Sequence, residues 1–167
     1  VTTYFVSGHL DLTEEEFRDH YAPRLSAALA DDPDAAFVVG DARGCDRMAQ
    51  RYLCDVHADR VRVFHRLGAP RNNEGGSPTV GGFPSDDARD VAMTAVSDAD
   101  IAWVRPGRER SGTAANLARR ATAASQLAGA PGRCHAGAGH DVASDCGAFG
   151  WLCTDCFARV TRLLKRA

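Results

Sequence analysis

Two stretches set glycine beside charge where a short apolar run gives way to a helix-like one: "VVGDARGCDRMA" (residues 38–49) and "VRPGRERSGTAAN" (residues 104–116). The first N–H groups of a helix lack partners within it, so such a turn can cradle a phosphate or carboxylate. Glycine lets the ligand approach the backbone or admits a positive φ. The candidate ligand contacts are Gly40, Asp41, Arg43 and Gly44 in the first turn, and Pro106, Gly107, Ser111, Gly112 and Thr113 in the second. Neither stretch is a GxGxxG fingerprint or a Walker loop, and glycine also serves such turns for chain geometry alone. Helix capping by Asp41 and a solvent-facing Arg43 are the corresponding structural readings. Ser7 and Gly8 close the first β-prone run, and the His9 that follows is either a base near neutral pH or a local hydrogen-bonding residue.

A different chemistry gathers near the C-terminus, in Cys134, Cys146, Cys153 and Cys156. Cys153 and Cys156 are spaced CxxC, so both thiolates can reach one ion, with Cys134 and Cys146 as the second half-site and His135 or His140 as substitutes. A segment this short has little apolar area of its own, and a structural zinc would staple it. A redox CxxC and reduced core thiols are the other readings.

The elements that must position these residues follow from hydrophobic patterning. "TTYFVSGH" is a β-prone run, and "LTEEEF" after it offers Thr13 as N-cap and Glu16 at the capping-box position of a helical pattern running to about Ala30. "AAFVVG" (residues 35–40) reads as a buried second strand, and Met48, Ala49, Tyr52 and Leu53 recur at helical spacing after it. "RVRVFHRL" alternates, which predicts a third strand near a sheet edge. Residues 68–84 are rich in breakers and read as one long loop. Within it Arg71, Asn72 and Asn73 can read phosphate and base edges, and Phe83 can stack on a base; a polar exposed turn is the alternative. Ser85 is the expected N-cap of a helix to Asp98 with Asp86 and Asp87 in its first turn, "ADIAWV" is a fourth strand, and a last helix runs from about Thr113 to Leu127. Strands alternating with helices predict an α/β fold with a parallel sheet flanked by helices. The change of composition after "AGAPGR" divides the chain into a domain over 1–130 and a small module over 131–167.

The 44% hydrophobic and 25% charged content is that of a globular chain and excludes a disordered one. No apolar run reaches the roughly 18 residues that would span a bilayer, so no membrane partner is expected. The opening residues lack a signal-like pattern, and a cytoplasmic setting is the expectation. A net charge of −2 does not favour nucleic acid as a partner. The tail is the local exception: Arg159, Arg162, Lys165 and Arg166 form either a solvated helix face or a nucleic-acid patch beside the zinc module.

Taken together, "SGH", "VVGDARGCD", the helix after Ser85 and "WVRPGRERSGT" resemble the SLOG superfamily, a Rossmann-like group that includes Lonely guy-type phosphoribohydrolases, DNA-processing protein A and nucleotide-sensing domains. The resemblance covers roughly residues 2–128. It implies a Rossmann-like fold and a nucleotide or nucleotide-derived ligand, with no redox cofactor. Arg89 looks like the arginine of the Lonely guy helix, Pro106-Gly107 like the start of its PGG turn and Gly112-Thr113 like its GT. Asn116 stands where that pattern has a glutamate. The relatives use that carboxylate at the anomeric centre, where a negative charge stabilises an oxocarbenium-like state, and an asparagine cannot. The departure favours binding over cleavage. An N-glycosidic hydrolase or transferase remains the alternative, with Glu109, Asp86 or Asp87 supplying the carboxylate; a glutamate between Arg108 and Arg110 is more often a solvated or paired surface charge, and the two aspartates are caps first and catalytic only second. By analogy with nucleotide binders that complete their pockets across a dimer, a homodimer is expected.

Overall fold

The computed structural model describes residues 1–129. Five strands, β1 (Thr3–Ser7), β2 (Ala36–Gly40), β3 (Val61–Arg66), β4 (Thr79–Phe83) and β5 (Ala99–Ala102), form one sheet in the order β4-β3-β2-β1-β5, and every pair is parallel. The helices are α1 (Glu14–His20), α2 (Ala22–Asp31), α3 (Cys45–His57), α4 (Asp86–Ala95) and α5 (Gly112–Gly129). This is the α/β architecture with a parallel sheet flanked by helices that the alternation predicts, and it is Rossmann-like.

Side chains alternate across the sheet and build two cores. Val6, Phe37, Val39, Val61 and Ile101 face α1, α2 and α3, which contribute Phe17, Leu25 and Leu53. Phe5, Val38 and Phe64 face the other way, toward Met93 of α4. Each such large apolar side chain, fully buried, stabilises the fold by about 1.5–3 kcal/mol.

The helix starts follow their side-chain chemistry. Thr13 and Glu16 form a reciprocal capping box, with Thr13 Oγ1 accepting from Glu16 N–H at 3.1 Å and Glu16 Oε2 from Thr13 N–H at 2.9 Å. Ser85 Oγ accepts from Ala88 N–H at 3.0 Å, as an N-cap should. The helical pattern to Ala30 is two helices, because Pro23 at the start of α2 has no N–H with which to continue α1.

The breaker-rich segment is not one loop, since it contains β4. Its pairing covers β3, which therefore lies inside the sheet and not at its edge. The glycines that hid this strand have a packing reason: a Cβ on Gly81 would run into the His65 imidazole. Phe83 stacks on Phe64 with ring centroids 5.9 Å apart.

The chain divides into two compact units, Val1–Ala118 and Arg119–Ala167. The first holds the sheet, α1 to α4 and the opening turns of α5; in the second, α5 continues to Gly129. The four cysteines expected to bind zinc, with His135, His140 and the basic tail, lie outside the described residues. Among the described residues no helix is long and apolar enough to cross a membrane.

Candidate functional site

Strand order places the chemistry. From β1 the chain moves outward through β2, β3 and β4, then returns to the other side of β1 with β5. The loops after β1 and β5 therefore part company, and ligands of open parallel sheets lie in the crevice this leaves beyond the carboxyl ends of the strands. A cleft of about 520 Å³ occupies that place, within the range typical of small-molecule sites. Tyr21 fixes its base. The hydroxyl donates to Ser7 C=O at 3.0 Å and accepts from Trp103 N–H at 3.1 Å, joining the ends of β1 and β5. Burial pushes this phenol above its ordinary range, so it stays a donor.

Ser7, Gly8 and His9 line the cleft from the end of β1. Ser7 is 6% exposed, and its Oγ is a buried hydroxyl with no hydrogen-bond partner. His9 has the local role: its Nε2 accepts from Arg105 N–H at 2.9 Å, while burial and the Arg105 charge lower its pKa and keep it neutral at pH 7.

The first glycine turn is largely committed to the fold. Gly44 has φ +73°, a conformation that favours glycine. The N–H groups of Cys45 and Ala42 are taken by His9 C=O at 3.1 Å and Asp46 Oδ2 at 3.1 Å. Gly40 lies under the charge cluster, where a Cβ would strike the Asp46 carboxylate. Neither Gly40 nor Asp41 lines the cleft, whereas Arg43 does.

The second turn is more open. Ser111 Oγ accepts from Ala114 N–H at 3.3 Å, and Ser111 C=O accepts from Ala115 N–H at 3.0 Å. The N–H groups of Gly112 and Thr113 have no acceptor among the described residues, and both residues line the cleft. A Cβ on Gly112 would meet nothing within 4 Å. Pro106 and Gly107 lie off the lining, in a turn that Glu109 closes by accepting from Gly107 N–H at 2.8 Å. That turn is strapped to α1 and the segment before it: Arg105 donates to both Glu16 oxygens at 2.7 and 2.6 Å, and Arg108 pairs with Asp11 at 2.9 Å. The Arg105 hydrogen bond holds Glu16 at about 2.

Between the two turns lies a network of charge, buried at Asp41, Asp46 and Arg89 and reaching the surface at Arg71 and Asp86. Asp41 accepts from Arg71 Nη2 at 2.6 Å, Arg71 Nε at 3.0 Å and Arg89 Nη1 at 2.8 Å. Burial opposes its ionisation, but the Arg71 hydrogen bonds and the two guanidinium charges outweigh this and hold the carboxyl at about 2. Arg89, 6% exposed, also reaches Asp90 at 2.8 Å and Asp86 at 3.1 Å. Asn116 continues the chain, donating Nδ2–H to Asp90 at 2.9 Å. Asp46 lies 3.9 Å from Arg89, too far for a good hydrogen bond. Burial pushes it up to about 7, with Arg89 and Ala42 N–H pulling the other way.

Comparisons with protein-family models, with curated proteins and with solved structures return no match.

Ser7, Gly8, Arg43, Arg71, Asp86, Arg89, Ser111, Gly112, Thr113 and Asn116 thus meet at one cleft. Glu109 and Asp87 are not on its lining. Asn72 serves the fold, donating to Asp41 C=O at 3.0 Å, and Phe83 is spent on Phe64. Asp90 was not singled out from sequence, yet it lines the cleft and links Arg89 to Asn116. Its spacing held a signal: residues 86, 90 and 93 recur at i, i+4 and i+7, one face of α4.

Proposed function

We propose that this chain binds an anionic, nucleotide-like small molecule in the cleft at the ends of β1 and β5. The observation that carries the reading is the free pair of N–H donors at Gly112 and Thr113, opening an 18-residue helix onto that cleft. A helix start of this kind attracts a phosphate through its unsatisfied donors and its dipole. The buried, unpartnered Ser7 Oγ on the lining of the same cleft supports it independently. SLOG membership, suggested by the sequence resemblance, belongs to the same proposal. Calorimetry with nucleoside mono-, di- and triphosphates tests it on wild type and Gly112→Val. A Cβ at Gly112 meets nothing within 4 Å, so folding is retained, while the added methyls obstruct an anion's approach to the two N–H groups and binding falls by tenfold or more, roughly the cost of losing one charge-assisted contact. Equal affinity in both proteins, or no binding of any member of the panel, overturns the reading.

One observation favours cleavage of an N-glycosidic bond as a second reading. Asp90 stands 2.9 Å from Asn116, so a carboxylate adjoins the position where the Lonely guy pattern has glutamate. Asp46, raised to about 7 on the same cleft, would be the proton-carrying member of a carboxyl pair. Release of free base from the same panel, followed by chromatography, decides between binding and turnover.

A further inference from the structure

Four arginines line the cleft: Arg43, Arg71, Arg89 and Arg108. Their charges are not equally available. Arg71 is shared between Asp41 and Asp86, both at 2.6 Å, and Arg108 is paired with Asp11 at 2.9 Å. Arg89 is surrounded by Asp41, Asp86 and Asp90 within 3.1 Å and by Asp46 at 3.9 Å. An anion approaching Arg89 would have to displace carboxylates from a residue that is 6% exposed. Arg43 differs: it is exposed, and its guanidinium makes no hydrogen bond or ion pair with any described residue. It sits one residue before Gly44, on the rim of the cleft that also contains Ser7, Gly112 and Thr113.

From this distribution of charge we infer that Arg43 is the arginine that meets the ligand's anionic group, and that Arg89 is a positioning residue that never touches it. The inference rests on the binding reading above. The anion is a phosphate or carboxylate, held by the two N–H groups of α5 and clamped from the other side by a guanidinium suited to bidentate contact. Arg89 acts through its neighbours. Through Asp41 it grips the first glycine turn, and through Asp90 it sets the Asn116 amide on α5, so that one buried side chain aligns both turns.

The experiment uses ADP as probe and calorimetry at low and high salt, with wild type, Gly112→Val, Arg43→Ala, Arg43→Lys, Arg89→Lys and Asp41→Asn. Arg43→Ala is expected to weaken binding roughly tenfold and to flatten its salt dependence, with Arg43→Lys recovering part of the loss. Arg89→Lys keeps the charge but loses the planar fork, so it weakens binding while the salt dependence stays as in wild type. Asp41→Asn reads the sign. Loosening Arg89 and Arg71, which share Asp41, tightens ADP binding if either guanidinium contacts the anion, and weakens it if both only position.

Wild-type affinity in Arg43→Ala, or tighter binding in Asp41→Asn, overturns the inference while leaving the binding reading intact if Gly112→Val still loses ADP. Where ADP fails, the member of the nucleoside phosphate panel that binds takes its place as probe; failure of wild type to bind any member, or equal binding by Gly112→Val, removes the reading and the inference together. Arg43 is exposed, so its variants fold and keep the question decidable even where the buried substitutions do not.

Discussion

Asn116 donates its side-chain N–H to Asp90 at 2.9 Å, across the gap between α5 and α4. Both line the cleft, Asn116 3% exposed and Asp90 half-buried. An amide is suited to this place because it can donate to a carboxylate that already serves Arg89.

Restoring the carboxylate of the Lonely guy pattern with Asn116→Asp would set two acids side by side. One of them must then hold a proton or the pair repels. The variant should lose about 1–3 kcal/mol of stability at pH 8 and much less at pH 5. Chemical denaturation at the two pH values measures this, and an equal loss at both would contradict the contact.

Asp46 makes a pH prediction of definite sign. Its folded value of about 7 lies above the unfolded value of about 4. The folded state thus holds more protons between these limits, and stability falls as pH rises from about 4 to about 7, then levels. Asp41, held at about 2, works at lower pH: its contribution is complete above about 4 and is lost as pH falls toward 2. His9, lowered by burial, works against folding as pH falls below about 6.5. Comparing wild type with Asp46→Asn therefore isolates the aspartate. The asparagine variant should lose the decline between pH 4 and 7 in denaturation midpoints, and an unchanged curve would rule out the perturbed carboxyl.

Glu109 caps its own turn and is not on the cleft lining. Glu109→Gln should leave ligand affinity unchanged. If free base is released from any nucleotide, turnover should survive this substitution and fall by about a hundredfold or more in Asp90→Asn, the scale of losing a general acid–base or charge-stabilising group. The opposite ranking would return Glu109 to the centre of the chemistry.

For the cysteine quartet, Cys134, Cys146, Cys153 and Cys156, the expected result is close to one zinc per chain by elemental analysis of the purified protein. Cys153→Ser should lose it. A metal-free wild type that is fully folded would refute the zinc reading.

Local signals in the sequence translated well into structure. Thr13 with Glu16, and Ser85 before Asp86, are caps whose geometry depends on a few neighbouring residues, so they were legible without the tertiary fold. The same is true of strand and helix alternation, which a period of two or 3.6 exposes. β4 was not legible because "TVGGF" has no strand-like pattern of its own; its glycines make sense only against His65, and Phe83 only against Phe64. Arg89 was recognisable as a cleft residue, but its burden of carboxylates depends on α4 lying over the end of β2, which no linear spacing discloses.

The Tyr21 hydroxyl, shared between Ser7 C=O and Trp103 N–H, has a thermodynamic consequence for any occupant. The two strand ends are held at a set separation by the protein itself, so a ligand need not order them. Little conformational entropy is lost at the base of the receptor, and affinity is left to the quality of contact.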